Sequence, residues 1–258
     1  STTATFTGIT LGNGTANSGN VVVSNNANLN VNGGLVLNAG KVTLATIGNT
    51  TELVLLGTGS QGISGTGEIV FGGTNSPNVV RTNDVGSILD IGLNILIHGT
   101  QSGTVGSASL GLANHGTINA DAVGKTITVT GTSWTNDGQI IASLGTIATA
   151  GSWSSSGASD LIQIDSTGTL SLGGTFAATS ITGNVTRSGG TVNLTSTLSL
   201  GNSSYDLGGA NNIGNLNLAA GSLVQSGTLL TTGSTTATVA QSTTATFTGI
   251  TLGNGTAN

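Results

Sequence analysis

The chain has 258 residues, of which only 4 are Lys or Arg and 9 are Asp or Glu, so it is 5% charged against roughly 25% in an ordinary soluble domain. Four basic residues cannot neutralise a phosphate backbone or a lipid surface, so neither nucleic acid nor a membrane is an expected partner. The absence of Cys excludes disulfides, thiolate metal sites and a Cys nucleophile, and a hydropathy too high for a self-repelling tail argues for a folded chain with a surface of Ser, Thr and Asn.

The sequence opens on STTATFTGITLGNGTAN (Ser1–Asn17) and closes on the same seventeen letters (Ser242–Asn258), so Ser1 recurs as Ser242 after 241 residues. Residues 1–241 read as one period of a tandem array and 242–258 as the start of the next, with Phe6 returning as Phe247. The array is read as one long polypeptide of near-identical repeats, in preference to separate protomers sharing a duplicated segment. No signal-peptide pattern or run of ~18 apolar residues occurs, so any export address is expected outside this segment.

Apolar residues alternate with small polar ones over Val21–Val23, Leu29–Val31, Lys41–Leu44, Thr126–Thr130, Thr191–Leu194 and Leu216–Leu218, which predicts short strands with one buried face. Gly interrupts nearly every window of a dozen residues, and an interior Gly costs a helix about 1 kcal/mol relative to Ala, so long helices are excluded. Pairs such as Asn13-Gly14, Asn32-Gly33, Gly72-Gly73, Asp137-Gly138 and Gly189-Gly190 are expected to supply positive φ at sharp corners.

Along the chain, Lys41, Glu52 and Glu68 each open an apolar strand and read as charged gatekeepers, with a stacked Lys41 to Glu52 ion pair as a second option. His98 ends the run Ile91, Leu93, Ile95, Ile97 and should face outward. His115 sits in an Asn-His-Gly corner, where His tolerates unusual φ. Neither has a carboxylate or second His at ligand spacing, so no metal or other cofactor is expected. The nine acids form no obvious pair; Asp160 and Asp165, flanking an apolar strand, come closest to the carboxylate pair a glycosidase needs. Sequons at Asn13, Asn49, Asn184, Asn193, Asn202 and Asn254 are expected by chance in so Asn- and Thr-rich a chain.

A shorter, degenerate repetition lies inside the period. NHGTINA (Asn114–Ala120, with Gly116) returns as NDGQIIA (Asn136–Ala142, with Gly138) after 22 residues. GTSWTNDG returns as AGSWSSSG, placing Trp134 and Trp153 nineteen apart, and LSLG at Leu170 returns at Leu198 after 28. Repetition at this period marks a solenoid. An antiparallel sandwich would carry bulky aromatics, whereas only 3% of this chain is aromatic. Small apolar residues suit a narrow coiled interior, with like residues stacked and Asn or Thr ladders outside. About twelve coils of ~20 residues at ~4.8 Å would advance roughly 58 Å per period. The Trp pair is read as an internal or edge stack in preference to an exposed sugar-binding platform. Thr-x-Thr runs like those of ice-binding solenoids are judged too scattered to form one flat array.

The NHGTINA and NDGQIIA segments, the paired Trp and TRSGGTVNLTSTLSLG (Thr186–Gly201) resemble the repeats of filamentous-haemagglutinin and autotransporter-passenger surface proteins, and more closely those of giant tandem-repeat bacterial surface proteins. The resemblance implies an all-β, right-handed parallel β-helix with uncapped ends, displayed extracellularly or on a bacterial cell surface. The expected role is mechanical and non-enzymatic: part of a fibre, filament or sheath built by end-to-end, and also lateral, association with copies of itself. A stalk for an adhesin tip lying elsewhere is the alternative, a polysaccharide-active enzyme the least favoured, and carbohydrate an unsupported partner.

Overall fold

A strand with one apolar face can satisfy both of its edges without long loops if the chain simply winds over itself, and in the computed structural model it does so. The structure describes residues 1–16, 18–155 and 161–254. The strands are β1 (Thr2–Leu11), β2 (Asn20–Ser24), β3 (Ala27–Thr46), β4 (Thr51–Leu56), β5 (Gly59–Gly73), β6 (Asn78–Thr82), β7 (Ser87–Ile91) and β8 (Asn94–Gly99). They continue with β9 (Gly103–Gly106), β10 (Gly111–Asn114), β11 (Thr117–Ala120), β12 (Thr126–Asn136), β13 (Gln139–Ala142), β14 (Thr146–Ser155), β15 (Leu161–Ile164) and β16 (Thr169–Leu172). The last are β17 (Thr175–Ala177), β18 (Val185–Arg187), β19 (Thr191–Leu194), β20 (Thr197–Asp206), β21 (Leu216–Leu218), β22 (Leu223–Leu230), β23 (Ala237–Val239) and β24 (Thr246–Gly253). The only helical element among the described residues is a 3₁₀ turn at Ala178–Ser180.

Among the described residues every strand pairing is parallel, and partners lie one coil apart, giving a β-solenoid of about 10 turns. A coil carries three strand positions; β3 bends through all three without leaving extended backbone. Columns of inward side chains run along the axis. In the first position Ala4, Leu29, Leu53, Val80, Val105 and Val129 stack in register. In the third, Val21, Val42, Ile69, Ile97, Ile118, Ile140, Ile162 and Val185 do the same. Alternation along each strand and identity between coils thus build one continuous apolar interior, bounded by outward Thr, Ser and Asn.

The coil is longer and less regular than the spacing of ~20 suggested. Register partners are 19 residues apart at Trp134 and Trp153 but 28 apart at Ile69 and Ile97, so about ten coils replace twelve and advance roughly 48 Å. The 22-residue step of NHGTINA to NDGQIIA is a true coil, aligning Ile118 with Ile140. The 28-residue step of LSLG is not. Leu172 pairs with Leu194 and Leu198 with Phe176, so the two LSLG segments occupy different strand positions. Leu93, expected inside, sits at the corner between β7 and β8 and is 76% exposed.

Candidate functional site

Three aromatic residues, Trp134, Trp153 and Phe176, gather in the interior of the second strand position. Trp134 lies over Trp153 with ring centroids 5.5 Å apart, and Trp153 over Phe176 at 4.7 Å, all near-parallel. Both indoles are buried, and their N–H groups donate to neighbouring-coil carbonyls, Trp134 to Ala150 and Trp153 to Gly173. Buried rings cannot present a sugar-stacking face; what they supply is buried area and a rigid contact between coils.

Asn114 and Asn136 form a buried ladder, contrary to the expectation that asparagines line the outside. The Asn114 side-chain amide donates to Asn136 Oδ1 at 2.7 Å, and Asn136 donates to Ser155 Oγ at 3.2 Å and to the Gly138 carbonyl at 3.3 Å. Both are fully buried, which is tolerable because successive amides satisfy one another along the axis. An exposed ladder does exist elsewhere, from Asn217 to Asn193. Gly138 holds its corner for a reason other than the positive φ expected: a Cβ there would lie 2.2 Å from the Gly116 carbonyl oxygen of the preceding coil, and Gly116 is pressed equally against Gly92 and Ile95. His115 has no positive φ either.

The coil brings together charges that are far apart in sequence. Glu52 is bridged to Arg81, with Nε–Oε1 3.1 Å and Nη2–Oε2 2.9 Å, a two-pronged pair on adjacent coils. Lys41 aligns with Glu68 instead of Glu52. Both histidines, expected to lack carboxylates, have two. His98 Nδ1 is 2.7 Å from Asp121 Oδ2 and its Nε2 is 3.8 Å from Glu68 Oε2; His115 lies 3.5 Å from Asp137 and 3.8 Å from Asp90. Asp121 also accepts from the Gly99 N–H, which fixes the corner after β8. His98 keeps to the outer face of its strand but is only partly exposed. Among the described residues no group of three or more His, Asp or Glu has the geometry of a metal site.

Asp165 accepts from Gln163, while Asp160 lies outside the described residues. The groove lined by Ser87, Ile88, Leu110, Leu112, Thr132 and Thr135 contains no ionisable side chain. Threonines judged scattered do align on one face, where Thr126, Thr146, Thr169 and Thr191 stack over four coils. The adjoining column reads Thr128, Ala148, Ser171, Asn193, so a second threonine row is missing. Asp206, half-buried, has a role that the sequence does not reveal: it accepts from the Thr232 hydroxyl, the Thr232 N–H and the Gly208 N–H and so ties one coil to the next.

Phe6 and Phe247 occupy the end strands β1 and β24, each about one-third exposed. Beside them, Thr2, Ala4, Phe6, Val21, Val23 and Leu29 line one concave surface, and Leu218, Leu229, Ala237, Val239, Phe247 and Leu252 line another. Among the described residues no strand pairs with the outer edges of β1, β2, β23 or β24. No helix there is long and apolar enough to cross a membrane. No protein-family model matches the chain, and neither the curated proteins nor the solved structures searched contain a similar one.

Proposed function

We propose that this chain is a structural unit of an extracellular fibre, filament or sheath that lengthens by stacking of β-solenoid ends. The observation that carries the reading is the register: the described strands pair parallel, one coil apart, with like side chains stacked along the axis, so each coil templates the next and buries its interior against it. The return of the Ser1 segment at Ser242 supplies the same strand sequence for a further coil. The near absence of charge removes the usual electrostatic barrier to such contacts. The aromatic stack, the Asn ladder and the Glu52–Arg81 pair all tie one coil to the next, which suits a load-bearing rod. Electron microscopy and sedimentation of the purified chain test the reading. Rods that lengthen with concentration in steps of roughly 48 Å are expected; a monomer at every concentration contradicts it.

A further inference from the structure

Phe6 and Phe247 are one residue of the seventeen-letter segment met twice, yet strand pairing sets them in different columns. The strand that carries Phe6 leads, partner by partner, from β1 through β3, β4, β6, β9, β12, β14, β16, β19 and β21 to β23. Ten such steps, all in the first strand position, end at Ala237–Val239. Phe247 stands outside that line. It lies over Val224, whose column runs through Leu198 and Phe176 to the tryptophans of the second position. An in-phase copy would need Phe247 one coil above β23, but Val239 and Phe247 are only eight residues apart, and the smallest coil step among the described pairings is 19.

We infer that in a continuing array each repeat starts one strand position further round the axis than the repeat before it. The inference rests on the end-to-end reading above, with Ser242 as the covalent start of the next repeat, and adds the phase of the joint. Chain length agrees with it. Val22 of the next repeat follows Thr238 by 25 residues, inside the span of 19 to 28 that separates register partners. The columns agree as well. Leu218 and Val239 are followed by Val23 and Leu44 of the next repeat, and Val224 and Phe247 by its Val31 and Leu55. Both lines change strand position at the joint and stay apolar across it.

Because side chains alternate inward and outward along a strand, the outer faces turn with the columns. The third-position face of a repeat carries Lys41, Glu68 and His98, with Asp121 at its corner. The second-position row is uncharged after Asp90, running through Ala113 and Thr135 to Ser154. A shift of one position per repeat brings the charged face to each side of the rod once in three repeats. No side is then uncharged along its whole length, which limits the zipper-like lateral pairing that rows of small side chains otherwise favour.

The test is a chain of two repeats, residues 1–241 followed directly by the full 258. The sequence has no Cys, so introduced pairs report the joint. T238C in the first repeat and V22C in the second should form a disulfide on oxidation, since register partners lie within the Cα separation that the bond spans. T238C in the first repeat and T3C in the second, neighbours only if the period were a whole number of coils, should stay unlinked. In a one-dimensional array the two-repeat chain also melts at a higher temperature than the 258-residue chain. A higher melting temperature without the V22C link, or with the T3C link, overturns the phase and leaves end-to-end stacking standing. Two repeats that melt independently, at the temperature of the 258-residue chain and with neither link, overturn the stacking reading itself.

Discussion

Tyr205 is the only tyrosine and is 2% exposed. Its hydroxyl donates to the Ile181 carbonyl at 3.3 Å and accepts the Ile213 N–H at 3.4 Å. Burial pushes the phenol far above its ordinary range, with the Asp206 charge adding to the shift. A folded-state pKa above the unfolded value means that the native state holds its proton longer. The stability this gives is fully present below about pH 10, the ordinary phenol value, and falls as pH rises beyond it. Phenolate absorbance is therefore expected only together with loss of β-sheet circular dichroism in an alkaline titration. A reversible phenolate signal from a folded chain would contradict the burial. The histidine contacts show what was hidden at this scale. His115 and Asp137 are one 22-residue coil step apart, and His98 and Asp121 are 23 apart, so the repeat already visible in NHGTINA and NDGQIIA contained the pairing. Spacing along a single strand does not reveal such partners, because in a solenoid neighbours are set by the coil.

At the scale of elements, the strand pattern was legible because alternation and glycine corners are local properties, while register was legible only where sequence repeats closely. Trp134 over Trp153 and Ile118 over Ile140 were within reach; the LSLG pair misled because insertions between strands change the coil length without changing the strands. The inward turn of Asn114 and Asn136 was also out of reach, since composition places amides outside and only the ladder makes burial tolerable. That ladder makes a coupled prediction. N136L removes the acceptor of Asn114 and leaves a buried amide with only the Gln139 carbonyl at 3.3 Å, at a cost of about 1–3 kcal/mol. Replacing both residues removes the stranded donor, so N114L/N136L should cost less than the two single changes added together. Thermal melts of the four chains in a double-mutant cycle measure this; strict additivity would show that the two side chains do not act as a ladder.

For the whole molecule, the duplicated segment is plain from the sequence, but its phase is not: Phe6 aligns with Val31 in the first strand position and Phe247 with Val224 in the second, a fact of topology alone. In a one-dimensional array a coil is stabilised by the neighbours it touches, so protection from hydrogen exchange should peak in the central coils and fall toward both ends. Hydrogen exchange read by mass spectrometry checks this: amides of the central strands β8, β11 and β13, each paired on both edges, should exchange more slowly than those of β1 and β24, each paired on one edge among the described residues. Uniform protection along the chain would contradict a one-dimensional array in which each coil is held by its neighbours.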